Sequence, residues 1–145
     1  MAKIKLRSVS LMVILLVGFI GFIIYNAWSS DKQSYENISV EQLEKLMNQK
    51  DFTLINVHIP YQGEIEKTDL LIPFNAINRH KNLLPKNKDV KIVVYCMGDS
   101  MGSIAAEQLI KMGYARVFNL SGGMMAWQYR GHRIVHRQPP PKSNL

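Results

Sequence analysis

The stretch from Val9 to Trp28 holds no charged residue, and only Ser10 and Asn26 interrupt its apolar character. Its length narrows what it can become. An α-helix rises ~1.5 Å per residue, so a helix over this stretch spans ~30 Å, the thickness of a bilayer's hydrocarbon core. We therefore expect one transmembrane anchor over 9–28 behind a short N-terminus, 1–8. Lys3, Lys5 and Arg7 precede the run and the Asp31–Lys32 pair comes after it. The bias of basic residues toward the cytoplasmic side then keeps 1–8 inside and places the rest of the chain outside, with Tyr25 and Trp28 at the outer interface. A cleavable signal peptide is the competing reading. The uninterrupted apolar core from Leu11 to Tyr25 is short, and Ala27-Trp28-Ser29 has the small-x-small form of a cleavage site. Both readings export the remainder of the chain. Gly18 and Gly21 lie three apart, which is not the GxxxG spacing of helix packing, so no dimer is expected from them.

What remains of the 145 residues suffices for one modest domain. The formal charge of +7, from 18 Lys+Arg against 11 Asp+Glu, invites a nucleic-acid partner until its distribution is read. Three bases precede the apolar run, and Arg130, Arg133, Arg137 and Lys142 lie near the C-terminus. The middle of the chain is neutral, so no nucleic-acid partner is expected. The C-terminal bases read as a solvated end, able to touch anionic lipid head groups only weakly. A single cysteine, Cys96, excludes an internal disulfide and any CxxC pair.

Residues 29–37, SSDKQSYEN, form a polar linker, and a helix start comes next in ISVEQLEKL. There Ser39 and Gln42 have capping-box spacing, while Ile38 and Leu43 have hydrophobic-staple spacing. FTLINV (52–57) and VKIVVY (90–95) are near-continuous apolar runs of the kind buried parallel strands show. A loop-rich stretch with Pro60, Gly63, Pro73 and Pro85 separates them. Beyond Cys96 the pattern predicts a helix from about 102 to 112 capped by Gly113, a strand over 115–120, a Gly122-Gly123 turn and a last short helix with Trp127. Alternating strands and helices indicate an α/β domain, 38–137, built on a parallel sheet. The tail 138–145, QPPPKSNL, reads as extended or disordered.

Cys96 falls at the carboxyl end of a predicted parallel strand and just before a helix, where open α/β sheets place their ligand sites. The backbone N–H groups of Met97, Gly98, Asp99, Ser100, Met101 and Gly102 and the positive helix end would favour a thiolate and cradle an anion. The same position equally suits a small buried hydrophobe that ends a strand. Exposure to an oxidising compartment makes an unused, unburied thiol a liability. His58 is a candidate pocket-rim residue that would assist thiolate formation, although a histidine at a strand end is more often a surface or hydrogen-bonding residue. His80, His132 and His136 lack metal-ligand spacing and read as solvated. No metal and no cofactor are expected.

The segment YCMGDSMGSIAAEQLIKMGYARVFNLSGGMMAW resembles the active-site half of the rhodanese-like domain, and FTLINVHIPYQGEI with LLIPFNAI resembles its first half. The resemblance covers about 38–135. It implies a rhodanese-like fold, a mostly parallel central sheet flanked by helices. It also implies a sulfurtransferase in which Cys96 accepts a sulfane sulfur from thiosulfate or a polysulfide, holds it as a persulfide and passes it to a thiol or protein acceptor. The implied substrate-binding loop runs from Met97 to Gly102, and its amides would stabilise the persulfide as an oxyanion hole does. Gly122, Gly123 and Trp127 belong to the family's signature and imply turn geometry and packing.

Several positions depart from that pattern. Active relatives often carry Arg or Lys as the loop's last residue, and here it is Met101. Asp99 adds a negative charge, Asn56 stands where Asp is usual, and His58 where Arg is usual. The loop changes argue for a neutral, polysulfide-like or protein-bound donor over thiosulfate. Cysteine phosphatases and arsenate reductases share the fold, but they need an Arg six residues after the cysteine, where this chain has Gly102. The stronger rival is a non-catalytic binding module at the membrane surface. An exported domain behind one basic-flanked helix suits a bacterial plasma membrane, facing the periplasm or the cell exterior.

Overall fold

The computed structural model describes residues 13–14, 16–23 and 34–137. Two units are distinct, one up to Gln33 and one from Ser34 onward. In the first, the described residues are helical and their apolar side chains, Phe19 and Ile20 among them, are exposed. No helix among the described residues is long and apolar enough to cross a membrane. The expected N-terminus 1–8, both flanks of the expected anchor, the linker as far as Gln33 and the tail 138–145 lie outside the described residues.

The second unit is a five-stranded, all-parallel sheet with helices on both faces. In chain order it runs β1 (Glu36–Ile38), α1 (Val40–Asn48), β2 (Phe52–Asn56), β3 (Glu64–Ile65), β4 (Leu70–Leu71), a 3₁₀ turn (Asn78–His80) and β5 (Lys91–Tyr95). It closes with α2 (Ser100–Lys111), β6 (Arg116–Leu120), α3 (Gly123–Tyr129) and β7 (Ile134–Val135). The sheet order is β1-β6-β5-β2-β4, and β3 pairs antiparallel with β7 in a separate two-stranded ribbon. β5 is therefore the central strand. The buried run from Ile92 to Tyr95 is a consequence of that place, since a central parallel strand is covered on both faces.

Alternation along β5 sorts the core into two layers. Ile92, Val94 and Cys96 point to the face covered by Ala105, Ala106 and Leu109 of α2. Val93 and Tyr95 point to the other face, toward Leu43 of α1 and Met124 and Trp127 of α3. Helix α1 starts as its sequence predicts. Ser39 Oγ accepts from the Gln42 N–H, Gln42 Oε1 accepts from the Ser39 N–H, and Ile38 and Leu43 are both buried.

Three expectations shift. The segment read as linker as far as residue 37 gives its end to the sheet, where Glu36 and Asn37 pair with Phe118 and Asn119. A polar edge strand escapes pattern reading because it buries only Ile38. Helix α2 begins at Ser100, not near 102, so half of the expected loop forms its first turn. Arg137, read as part of a solvated end, is instead bonded to the buried Glu64.

Candidate active site

Cys96 ends the central strand, is 2% exposed and is a free thiol. It shares its face of the sheet with α2, and Met101 packs against the same cluster. The loop between β5 and α2 is short. Its first closing bond runs from the Ser103 N–H to Asp99 O at 3.0 Å, and Ser103 Oγ reaches the same carbonyl at 3.1 Å. The amides ahead of Ser103 are thus left without intrahelical acceptors, as at any helix start. Those of Met97 to Gly102 are the donors expected from the sequence.

The loop's carbonyls are held from the other side. Met124 N–H donates to Cys96 O at 2.9 Å, and Met125 N–H donates to Met97 O at 3.0 Å. This close backing explains the glycine pair. Gly122 and Gly123 have φ of 71° and 52°, and a Cβ on Gly123 would fall on the carbonyl oxygens of Cys96 and Gly98. Peptide groups whose carbonyls accept such bonds become better N–H donors, so α3 supports the cradle through the loop backbone.

Asp99 is exposed, and its Oδ1 accepts from the Gly122 N–H at 2.8 Å. The negative charge that the sequence adds to the loop therefore ties the loop to the glycine turn. Gly98 lies in the loop, Ser100 opens α2, and Gly102 is buried against Asn119 in the first turn of α2. Asn56 Nδ2 donates to Gly63 O at 2.9 Å, and its Oδ1 accepts from the His58 N–H at 3.0 Å. It shapes the turn after β2. His58 Nε2 meets Gln62 Oε1 at 2.8 Å, which is the hydrogen-bonding role a strand-end histidine usually takes.

Two histidines correct the expectation of solvation. His132 stacks on Trp127, with ring centroids 4.0 Å apart, and bonds to Glu44. His80 is partly buried, with Nδ1 3.0 Å from Ala76 O. His136 is exposed but lies edge-on to Tyr61. The contacts of His132 with Glu44 and of His136 with Tyr61 join residues far apart in the chain, so spacing gave no sign of them. Beside the glycine turn lies an open apolar cleft of about 500 Å³, lined by Val40, Gly122, Met125, Ala126 and Tyr129. Tyr129 is 92% exposed.

The model of the rhodanese-like domain matches residues 39–130, which takes in α1 through α3 and the cysteine loop. The chain belongs to the rhodanese-like domain family. A sulfurtransferase of Allochromatium vinosum is 34% identical over 95 residues, 63% of this chain and 86% of the relative. The thiosulfate sulfurtransferase GlpE of Pseudoalteromonas translucida is 26% identical over 107 residues, covering 72% of this chain and 99% of that protein. A rhodanese-related protein of Thermoplasma volcanium shares the fold, with a TM-score of 0.60 at 23% identity over 70% of this chain and 98% of that one. The rhodanese-like fold expected from the sequence is the fold observed, and relatives named as sulfurtransferases accompany it at low identity.

Proposed function

We propose that this rhodanese-like domain is a sulfurtransferase whose acceptor atom is Cys96 Sγ. The observation that carries the reading is the placement of Cys96 at the end of the central strand, in a loop whose amides before Ser103 lack intrahelical acceptors. In the first half-reaction the Cys96 thiolate attacks the outer sulfur of a donor. The donor's S–S bond breaks, its electron pair leaves with sulfite or a shortened polysulfide, and Cys96 becomes a persulfide anion. In the second, an acceptor thiolate attacks the terminal sulfur, the Cys96 thiolate departs, and the acceptor carries the persulfide away. No outside oxidant or reductant enters. The loop amides would stabilise the negative charge on the outer sulfur by fixed dipoles.

The loop from Cys96 to Gly102 contains no Lys or Arg, and Asp99 is held by Gly122. An anionic donor such as thiosulfate finds no cation within that loop, which supports an uncharged donor, such as an organic or protein-bound polysulfide. We further propose that the apolar run 9–28 presents the domain on the outer side of a bacterial plasma membrane. The cation-free loop beside an exposed apolar cleft favours one second reading, a binding module at the membrane surface in which Cys96 is idle.

Intact mass of the fragment 34–145 after incubation with thiosulfate, inorganic polysulfide or an organic persulfide separates the two readings. Sulfurtransfer predicts one added sulfur that is absent in Cys96→Ser and discharged by excess thiol. No adduct from any donor would leave the binding module. Protease accessibility in intact cells and inverted vesicles checks the topology, with digestion from the outer side expected.

A further inference from the structure

Gly102 is buried in the first turn of α2, and a Cβ at that position would collide with Asn119 Oδ1. Asn119 stands on β6 in register with Asn37 of β1 and Val94 of β5, two residues before Cys96. Its side chain is fully buried, its Nδ2 donates to Asn37 Oδ1 at 3.0 Å, and its Oδ1 has no hydrogen-bond partner among the described residues. An unpaired buried carbonyl oxygen is destabilising, and asparagine is a poor strand former, so an aliphatic residue would serve β6 better if packing were the whole purpose. The amide instead ties β1 to β6 through one edge and meets the helix backbone at Gly102 with the other.

We propose that Asn119 is a positioning residue for the cysteine loop. Its flat amide spaces the first turn of α2 from the sheet and so sets where the amides of Asp99 to Gly102 stand relative to Cys96. This rests on the reading of Cys96 as the sulfur acceptor. The glycine and the asparagine are two halves of one fit: an atom added to Gly102 must displace the turn unless the asparagine side chain is shortened.

The test compares Gly102→Ala, Asn119→Ala and the double variant, with folding of each monitored by circular dichroism. Two rates are read on the folded proteins by intact mass: alkylation of Cys96 by iodoacetamide and sulfur loading from inorganic polysulfide. Gly102→Ala is expected to change alkylation at least fivefold and to slow loading at least tenfold, and the double variant to return both to within twofold of the wild type. Asn119→Ser, which replaces the amide with a shorter hydroxyl, is expected to shift both rates and serves if Gly102→Ala does not fold. Lower unfolding midpoints with wild-type rates in the folded variants would mean that the pair is merely structural and overturn the proposal. So would a double variant no better than Gly102→Ala. A wild type that takes no sulfur from any donor sinks the sulfurtransfer reading instead, because the alkylation rates still judge the positioning.

Discussion

The two ends of the Tyr95–Cys96 dipeptide are held by opposite means. On the Tyr95 side, a polar cluster gathers around β3 and the segment after β7, with Glu64, Thr68 and Tyr95 buried. Arg137 donates from Nε to Glu64 Oε1 at 3.0 Å and from Nη2 to Thr68 O at 2.9 Å, and its own N–H meets Tyr61 OH at 2.8 Å. Thr68 Oγ1 and Tyr95 OH lie 2.6 Å apart, and Tyr95 OH accepts from the Ile65 N–H at 3.0 Å. On the Cys96 side, the loop is held by main-chain bonds and the single carboxylate of Asp99, with no cation in the loop. The difference teaches where the chain's C-terminal positive charge is used: part of it neutralises Glu64 inside the fold, and none of it stands in the cysteine loop. A site shaped by backbone dipoles can stabilise an anion on sulfur without drawing every anionic solute in solution.

Breaking the loop side should have the largest effect. Gly123→Ala puts a side chain at positive φ and onto the carbonyls of Cys96 and Gly98, and should cost about 3 kcal/mol and abolish sulfur loading. Chemical denaturation and the mass assay measure the two. Breaking the other side should leave the loop's chemistry more nearly intact. Arg137→Ala strands the Glu64 carboxylate, whose side chain is 7% exposed. Loss of one partner from a buried pair costs several kcal/mol, and with Arg137 itself 45% exposed we expect about 2 kcal/mol. Glu64→Gln in the Arg137→Ala background should recover part of that loss in the same denaturation experiment.

Alkaline pH sharpens the comparison through Tyr95. Burial pushes its phenol well above the ordinary tyrosine value, outweighing the opposing bond from Thr68. A raised folded-state value means that the contribution is complete below the unfolded tyrosine value of about 10. As pH rises from there toward the folded value, stability should fall by up to about 1.4 kcal/mol per pH unit. In Tyr95→Phe the steep part of that fall, read by denaturant midpoints from about pH 9 to 11.5, should flatten. The smallest effect is expected at Asp99. Asp99→Ala removes the acceptor for the Gly122 N–H and should cost about 1 kcal/mol, while Asp99→Asn keeps an acceptor and should cost less. If the carboxylate also repels donors, Asp99→Asn should speed loading from thiosulfate more than loading from an organic persulfide.

Much of the fold was legible because each signal was local. The capping box at Ser39–Gln42, the apolar runs of β2 and β5 and the Gly122-Gly123 turn each need only a few neighbouring residues. Cys96 was legible for the same reason, since the pattern places it where a parallel strand meets a helix. The illegible parts depend on residues distant in the chain. Asn37 meets Asn119, Arg137 meets Glu64, and His132 meets Glu44. Read singly, His80, His132, His136 and the C-terminal arginines looked solvated, and Asp99 looked like a negative charge added to the loop.

By itself, the sequence determined the α/β class, the family and the place of its one cysteine at a strand end, because periodicity, caps and glycine turns are written in short segments. Tertiary structure decided what surrounds that cysteine. Only packing shows that Gly123 must lack a side chain because α3 lies on the loop's carbonyls, or that Asp99 turns to Gly122. Only packing shows that Gly102 and Asn119 share one space. Such constraints come from hydrogen bonds and excluded volume between elements that meet only after the sheet has formed.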